Sequence, residues 1–380
     1  SGIDRIVVSN PSEPKLKALK TECPDVLVST SNMDAVKGAD VVIFAVKPWL
    51  LEGVMAEVAP MVEFRRQILV SVAAGVSLDT LWNWLKNYAN QNGVKIIGDI
   101  PIYVAFDSAD TWANPLLFQF DENNEPVAVA GCPPDGFSAD GQLWGNPLYS
   151  WEYHRSTEYS WWLQRLSYSL SMYDVVRIDH FRGFDEYYSI PYGDETARYG
   201  HWEKGPGVEL FHLLKEKMGD VALIAEDLGM ISDSVRQLVK DTGFPGMKVL
   251  QFAFDNTENS DYLPHNIDRN CVIYTGTHDN DTVKGWYETA NEHDLWQARQ
   301  YMNNEDHDME TSIWDMIRLA MSSVADLAVV PMQDYLCLGS EARMNTPSTL
   351  GDNWKWRLAR NQISHEVIEK MRLLVRIYRR

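Results

Sequence analysis

YDVVRID, residues 173–179, is a β-branched apolar run that ends on a carboxylate. Two further runs share its form: VALIAED (221–227) and CVIYTGTHD (271–279). Asp179, Glu226 and Asp279 therefore each close a strand-like segment. A carboxylate at the end of a buried strand is costly without a partner or a task, and three of them suggest strands that point into a common cleft. Working outward, VKIIGDIPIYV (94–104), MKVLQFAF (247–254) and LAVVPMQD (327–334) read as three more strands. Most of the six are followed by helical periodicity, as in SDSVRQLVKD (232–241). Strands alternating with helices predict a parallel α/β sheet. A (β/α)8 barrel builds its site from loops at the C-terminal ends of its strands. Six strands make three-quarters of such a TIM-type barrel and leave two unaccounted for. Long Gly/Pro/aromatic segments, 105–165 and 183–210, interrupt the series.

The first 80 residues form a separate series. IVVSN (6–10), VLVS (26–29), DVVIFAVKP (40–48) and QILVSVAAG (67–75) alternate with helical stretches, which predicts a Rossmann-like parallel sheet covered on both faces. DTLWNWLKNYANQN (79–92) reads as one amphipathic helix with Gly93 as its stop. The expected division is 1–80 and 81–380.

Composition narrows the classes. A net charge of −20 argues against nucleic acid and anionic membrane surfaces. No apolar run approaches membrane-spanning length. Four cysteines, Cys23, Cys132, Cys271 and Cys337, lie far apart, which fits a reducing cytoplasm and indicates neither a disulfide framework nor a structural zinc site. Fourteen Trp and 17 Tyr are a rich aromatic endowment, suited to a core or to stacking platforms, and composition favours the core. A start at Ser1, entering a strand almost at once, suggests that residues precede it.

Paired carboxylates suit glycosidic chemistry, where one attacks or stabilises the anomeric carbon and a protonated one delivers a proton to the leaving oxygen. Arg177 and His180 flank Asp179 and should favour its ionised form. Glu226 and Asp227 are adjacent, so burial and like charge should raise one of the two. The bland alternative for each acid alone is a solvated helix cap or a surface ion pair, and the three together make it improbable. THDND (277–281) could be read as a His-Asp metal site, but no further His lies at ligand spacing.

RIDHFRGF (177–184), LIAEDLG (223–229), GMKVLQFAF (246–254), YTGTHDNDT (274–282) and GSEARMN (339–345) together resemble the 4-α-glucanotransferases, the amylomaltase or disproportionating-enzyme family of the α-amylase superfamily. GDIPIYVAFDSADTW (98–112), GCPPDGFSADGQLWGNPLY (131–149) and LPHN (263–266) agree. The resemblance runs from about residue 82 to near the end. It implies a retaining double displacement that moves α-1,4-glucan segments between maltooligosaccharides, with no cofactor. Asp179 would be the nucleophile, Glu226 the general acid/base and Asp279 the transition-state stabiliser. Asp99, Arg177 and His278 would hold the reacting sugar, with Asp227 also among the substrate-binding residues. Trp144, Phe252 and Asn345 would line neighbouring subsites. The family's first two barrel strands are expected before Trp82 and are absent, which puts the activity of this chain in question.

IVVSNPS, GADVVIFAVKP and ILVSVAAGVSLDTL resemble the middle of the NAD(P) domain of pyrroline-5-carboxylate reductase. The Gly-rich first strand and turn of that domain are missing, so two incomplete families meet near Leu81 to Trp84, inside a helix. The competing readings are therefore a reductase fragment and a glucan-binding remnant without turnover. Without a phosphate-cradling turn, titration of the chain with NADPH should give no saturable signal, and micromolar binding would revive the reductase reading.

Overall fold

The computed structural model describes residues 5–63, 67–72, 78–134, 139–229, 231–254, 260–347, 349 and 351–380. The end of the QILVSVAAG run and the DGFS segment at 135–138 lie outside them. The chain forms two compact units, residues 1–85 with 357–364, and 86–356 with 365–380.

In the first unit β1 (Val7–Ser9) pairs in parallel with β2 (Leu27–Ser29), and β3 (Val41–Phe44) with β4 (Ile68–Ser71). These are two separate two-stranded ladders where the sequence predicts one sheet. Val36, Val42, Phe44, Leu51, Val58 and Val62 make a small core. The opposite face of the β3–β4 ladder is uncovered: Val41, Ile43 and Ile68 are 49%, 61% and 62% exposed. Among the described residues this face lacks the second cover expected from the apolar runs.

The expected amphipathic helix runs Leu78–Gln91. At its C-terminal end Lys86 Nζ donates to the carbonyls of Ser171 and Tyr173, both at 3.0 Å, and Asn90 Nδ2 donates to Asp174.

In the second unit β5 (Ile97–Pro101) is the first of the six long-range parallel strands. The inserted strands β6 (Ala128–Cys132) and β7 (Gln142–Pro147) follow it, then β8 (Val175–Asp179). Next come β9 (Glu186–Pro191), β10 (His201–Lys204), β11 (Leu223–Ala225), β12 (Gly246–Val249), β13 (Cys271–Tyr274) and β14 (Leu327–Val329). The six predicted strands form two parallel ladders, β5-β8-β11 and β12-β13-β14. The amide of Ala225 bonds to the carbonyl of Pro245 at 2.9 Å, so β11 also lies beside the start of β12. Each strand is shorter than its apolar run. MKVLQFAF is half strand and half a 3-10 turn (Leu250–Phe252), and LAVVPMQD passes into the helix Met332–Tyr335.

Side-chain alternation sorts the strand residues. Val176 and Ile178 of β8, both fully buried, face a core that includes Trp162, Leu166, Leu210 and Leu214 from the helices Ser160–Met172 and Glu209–Met218. Arg177 and Asp179 fall on the other face. A second core gathers Ile273 with Ile313, Met316, Ile317 and Ala320 of the helix Met309–Ser322.

The long aromatic segments hold strands that periodicity did not reveal. β10-β9-β6-β7 form an antiparallel sheet with a bulge between Val129 and Gly131. Most of β6 and β9 is buried, so neither shows the alternation that marks a half-exposed strand. Much of the aromatic excess is core: Trp162, Tyr149, Tyr159, Phe181 and Phe184 are among the largest fully buried side chains.

Gly98 sits on β5 where an added Cβ would lie 2.0 Å from the Tyr173 ring. Gly98→Ala should lower stability by about 1–3 kcal/mol through overpacking, read as a fall in the urea midpoint. An unchanged midpoint would mean that the ring yields freely.

Candidate active site

Strand register builds the centre of the site. Pairing of β5 with β8 sets Asp99 beside Arg177, and Pro101 beside Asp179. Arg177 is 7% exposed. Its Nη1 donates to both oxygens of Asp99 at 2.8 and 2.9 Å, and its Nη2 donates to Asp179 Oδ1 at 2.9 Å. Its Nε donates to the Met247 thioether at 3.2 Å. Burial opposes the charge of this guanidinium, but Asp99, Asp179 and Glu226 outweigh it and raise its pKa. Asp99 is raised by burial, with Arg177 pulling the other way.

Glu226 follows β11 directly. Its two oxygens accept from the amides of His180 (2.7 Å) and Leu228 (2.8 Å). Burial first, and then the charge of Asp179, pushes its carboxyl up to about 7. Sequence analysis placed the like-charge partner at Asp227; the structure gives that part to Asp179. Asp227 turns to the next strand, where its Oδ1 accepts from Met247 N at 2.6 Å and its Oδ2 lies 3.6 Å from Lys248 Nζ. Gly246 leaves room for this, since a Cβ there would stand 2.7 Å from the carboxylate. Both oxygens of Asp227 are thus engaged in joining β11 to β12.

His180 corrects a second expectation. It has φ of 53°, a left-handed backbone that aims its amide at Glu226. Burial lowers its ring to about 4, against the pull of Asp179, so it is neutral near pH 7 and does not support the Asp179 carboxylate with charge. The cationic neighbour of Asp179 is Arg177. The His180 ring lies 4.8 Å from Trp144, edge to face, and 6.3 Å from Tyr103, which brings Trp144 of β7 to this cluster.

Asp279 does not end a strand, because β13 stops at Tyr274. It stands on the loop that follows, beside His278 (Nε2 to Oδ2, 3.4 Å). Asn345 Nδ2 donates to Asp279 Oδ1 at 2.6 Å, and the Asn345 amide donates to the His278 carbonyl at 3.0 Å. Arg343, which the sequence reading passed over inside GSEARMN, donates from Nη2 to the Asp279 carbonyl at 2.6 Å. Trp354, also unforeseen, tilts against the His278 ring at 5.1 Å. Phe252 meets Tyr262 edge to face at 5.6 Å, and the Tyr262 hydroxyl accepts from Gly229 N at 3.1 Å.

Asp99, Arg177 and His278 also line a cavity of about 280 Å³ with Gly98, Met247 and Tyr274. The carboxylate of Asp281, the last residue of THDND, accepts from Ser340 Oγ (2.7 Å) and Thr282 N (2.7 Å). Among the described residues no group of three or more His, Cys, Asp or Glu could hold a metal ion. Two carboxyls in unlike environments, one bonded to a cation and one raised towards neutrality, are the equipment for acid-assisted displacement at an acetal carbon.

Known proteins resemble this chain. The family model of the 4-alpha-glucanotransferases (glycoside hydrolase 77) matches residues 56–362. A model of NADP oxidoreductases, coenzyme F420-dependent, matches residues 1–75, so the two matches overlap over 56–75. The 4-alpha-glucanotransferase of Clostridium butyricum is 51% identical over 301 residues, 79% of this chain and 61% of that protein. That of Thermus thermophilus is 47% identical over 298 residues, 77% and 60%. An amylomaltase from Streptococcus agalactiae in complex with acarbose superposes with a TM-score of 0.76 at 42% identity, covering 79% of this chain and 60% of its own. The amylomaltase of Corynebacterium glutamicum shares the fold at a TM-score of 0.65 and 17% identity, covering 78% and 48%. The chain spans about three-fifths of the length of the Clostridium and Thermus relatives. Its match to the family model covers most of its residues, and the chain belongs to the 4-alpha-glucanotransferase family.

Proposed function

We propose that this chain carries the catalytic centre of a 4-α-glucanotransferase that passes α-1,4-glucan segments between maltooligosaccharides. The observation that carries this reading is the shared electrostatics of Asp179 and Glu226 around Arg177. Asp179, bonded to a cation, is the nucleophile at the anomeric carbon. Glu226 holds a proton near neutral pH and gives it to the leaving 4-oxygen. The resulting glycosyl ester at Asp179 is then attacked by the 4-hydroxyl of a second glucan, as Glu226 takes the proton back. Asp279 steadies the oxocarbenium-like transition state. Asp99, Arg177 and His278 hold the reacting sugar, and Trp144, Phe252 and Asn345 line the neighbouring subsites. Of the expected sugar contacts Asp227 has the least support, with both its oxygens already engaged. A sugar acceptor beats water only when it is bound and water is kept out, which suits the rings around Asp179. That the Streptococcus agalactiae relative was solved in complex with acarbose supports a saccharide ligand for this chain.

We read the scaffold as a barrel open by two strands, with residues 1–80 a partial Rossmann-like segment and 81–380 the barrel domain. Among the described residues β5 and β14 each pair on one side only, and their first residues, Ile97 and Leu327, are each 39% exposed. The cavity lies between Ile97, Gly98 and Asp99 on one flank and Val329, Pro331 and Gln333 on the other, where closing strands would pack. A cytoplasmic setting is supported by four cysteines widely separated in sequence; among the described residues no helix is long and apolar enough to cross a membrane.

The direct test is disproportionation of maltotriose by the purified chain, alone and mixed with the segment of a relative that carries the two closing strands. Asp179→Asn should cut any turnover by at least about 10³-fold, and an unchanged rate would remove Asp179 from the nucleophile's part. The proton-donor role gives a rate that falls as pH rises through about 7, the value burial imposes on Glu226. A basic limb unmoved by Glu226→Gln would assign it to another group.

The same shift governs stability. A carboxyl raised on folding binds its proton more tightly in the native state, so its contribution is present at low pH and lost as pH rises from the unfolded value to about 7. Glu226→Gln should therefore unfold at higher urea than the parent at pH 8, by about 1–3 kcal/mol. Near pH 4 the two should match, and equal midpoints at both pH values would contradict the buried-acid assignment.

A further inference from the structure

Between the end of β13 and the helix Val283–Thr289 the chain crosses residues 275–282, the loop that presents His278 and Asp279. Behind that loop lies a carboxylate with no part in the chemistry described so far. Asp334, in the helix Met332–Tyr335 beyond β14, is 1% exposed. Its Oδ2 accepts from Thr275 Oγ1 at 2.7 Å and its Oδ1 accepts from Val283 N at 2.8 Å. Thr275 and Val283 are both 0% exposed. One buried carboxylate therefore grips the residue that opens the loop and the residue that ends it.

The loop is tied near its C-terminal end as well. Gln251 Nε2 donates to the Asp281 carbonyl at 2.8 Å, and Ser340 Oγ to Asp281 Oδ2 at 2.7 Å. Close packing fixes these ties: a Cβ on Gly276 would stand 2.6 Å from Gln251 Nε2, and one on Gly285 2.5 Å from the Asp281 carboxylate. The sugar-facing bonds of Asn345 and Arg343 to Asp279 hold only the crest of the loop. The two end residues, Thr275 and Val283, are both bonded to Asp334.

We propose that Asp334 is a positioning residue, which sets where His278 and Asp279 stand by pinning both stems of their loop from behind. This rests on the glucanotransferase reading of the site. A side chain displaced by a fraction of an ångström loses most of its value in a transition state while barely changing how the ground-state sugar binds. A general packing role would instead lower the amount of folded protein, and kcat and KM would not separate.

Three variants of the full chain decide between these. Asp334→Ala removes both bonds. Asp334→Asn can keep both, accepting from Val283 N through its oxygen and donating to the Thr275 hydroxyl through its amide. Thr275→Val removes one arm without a cavity, and covers the case in which the alanine variant does not fold. Hydrogen exchange read by mass spectrometry on peptides spanning 275–287, with 177–184 as internal control, reports on the clamp without any need for turnover. In Asp334→Ala, exchange over 275–287 should quicken at least about 10-fold while 177–184 stays as in the parent. Thr275→Val should show a smaller quickening there, and Asp334→Asn almost none. On maltotriose, kcat of Asp334→Ala should fall about 10- to 100-fold with KM within about 3-fold, and Asp334→Asn should recover most of the loss. Unchanged protection of 275–287 in Asp334→Ala or Thr275→Val overturns the proposal. So does loss of protection spread equally over both segments. A parent chain without turnover would count against the glucanotransferase activity, while the exchange result would still decide the clamp.

Discussion

The second unit is organised around one buried cation. Arg177 is placed on the inward face of a central strand, where a guanidinium stripped of water is tolerable only if carboxylates surround it. Asp99 takes one edge of the fork with both oxygens, Asp179 takes the other, and the Met247 sulfur receives Nε. The arrangement works in both directions. The carboxylates keep Arg177 charged, and Arg177 allows Asp99 and Asp179 to stand side by side. Removing Arg177 would take away the shared partner of both carboxylates, so the pairing of β5 with β8 and the electrostatics of the site are a single constraint.

Glu226 lies just outside that bidentate fork, and the difference gives it another character. It receives two backbone amides but no direct cation, and it feels the charge of Asp179. Its carboxyl consequently sits near neutrality while Asp179 is held by a guanidinium. The left-handed backbone of His180 is part of this division of labour, since it turns an amide onto Glu226 and packs the neutral ring against Trp144. The aromatic residues play two parts in the same unit: a fully buried set under the strands, and a smaller half-exposed set of Trp144, Phe252, Tyr262 and Trp354 around the acids.

Much of this was legible in the chain. Apolar β-branched runs identified the six parallel strands of the second unit; Asp179 and Glu226, at or just beyond two of their ends, lie near Arg177, while Asp279 falls on the loop past β13. Asp99, Arg177, Asp179 and Glu226 were found this way or through their motifs, and the structure gathers them. The sequence reading failed where the signal depended on burial from both sides. The antiparallel sheet β10-β9-β6-β7 was invisible because its inner strands do not alternate. Strand lengths were overestimated at MKVLQFAF and LAVVPMQD because an apolar 3-10 turn or helix start looks like more strand.

What the sequence determined by itself was the family and the candidate acids, since motif content and apolar periodicity are local properties of the chain. It also indicated the break in character near residue 80. Which partner each acid would have was decided only by the tertiary structure. Neighbours in sequence proved misleading: His180 is adjacent to Asp179 yet neutral, and Asp227 is adjacent to Glu226 yet bonded to β12. The partners that matter come from 78 residues away for Arg177 with Asp99, and from 59 for Thr275 with Asp334. Charge and proton affinity in a buried site depend on what the fold brings within a few ångströms, and no local pattern encodes that distance.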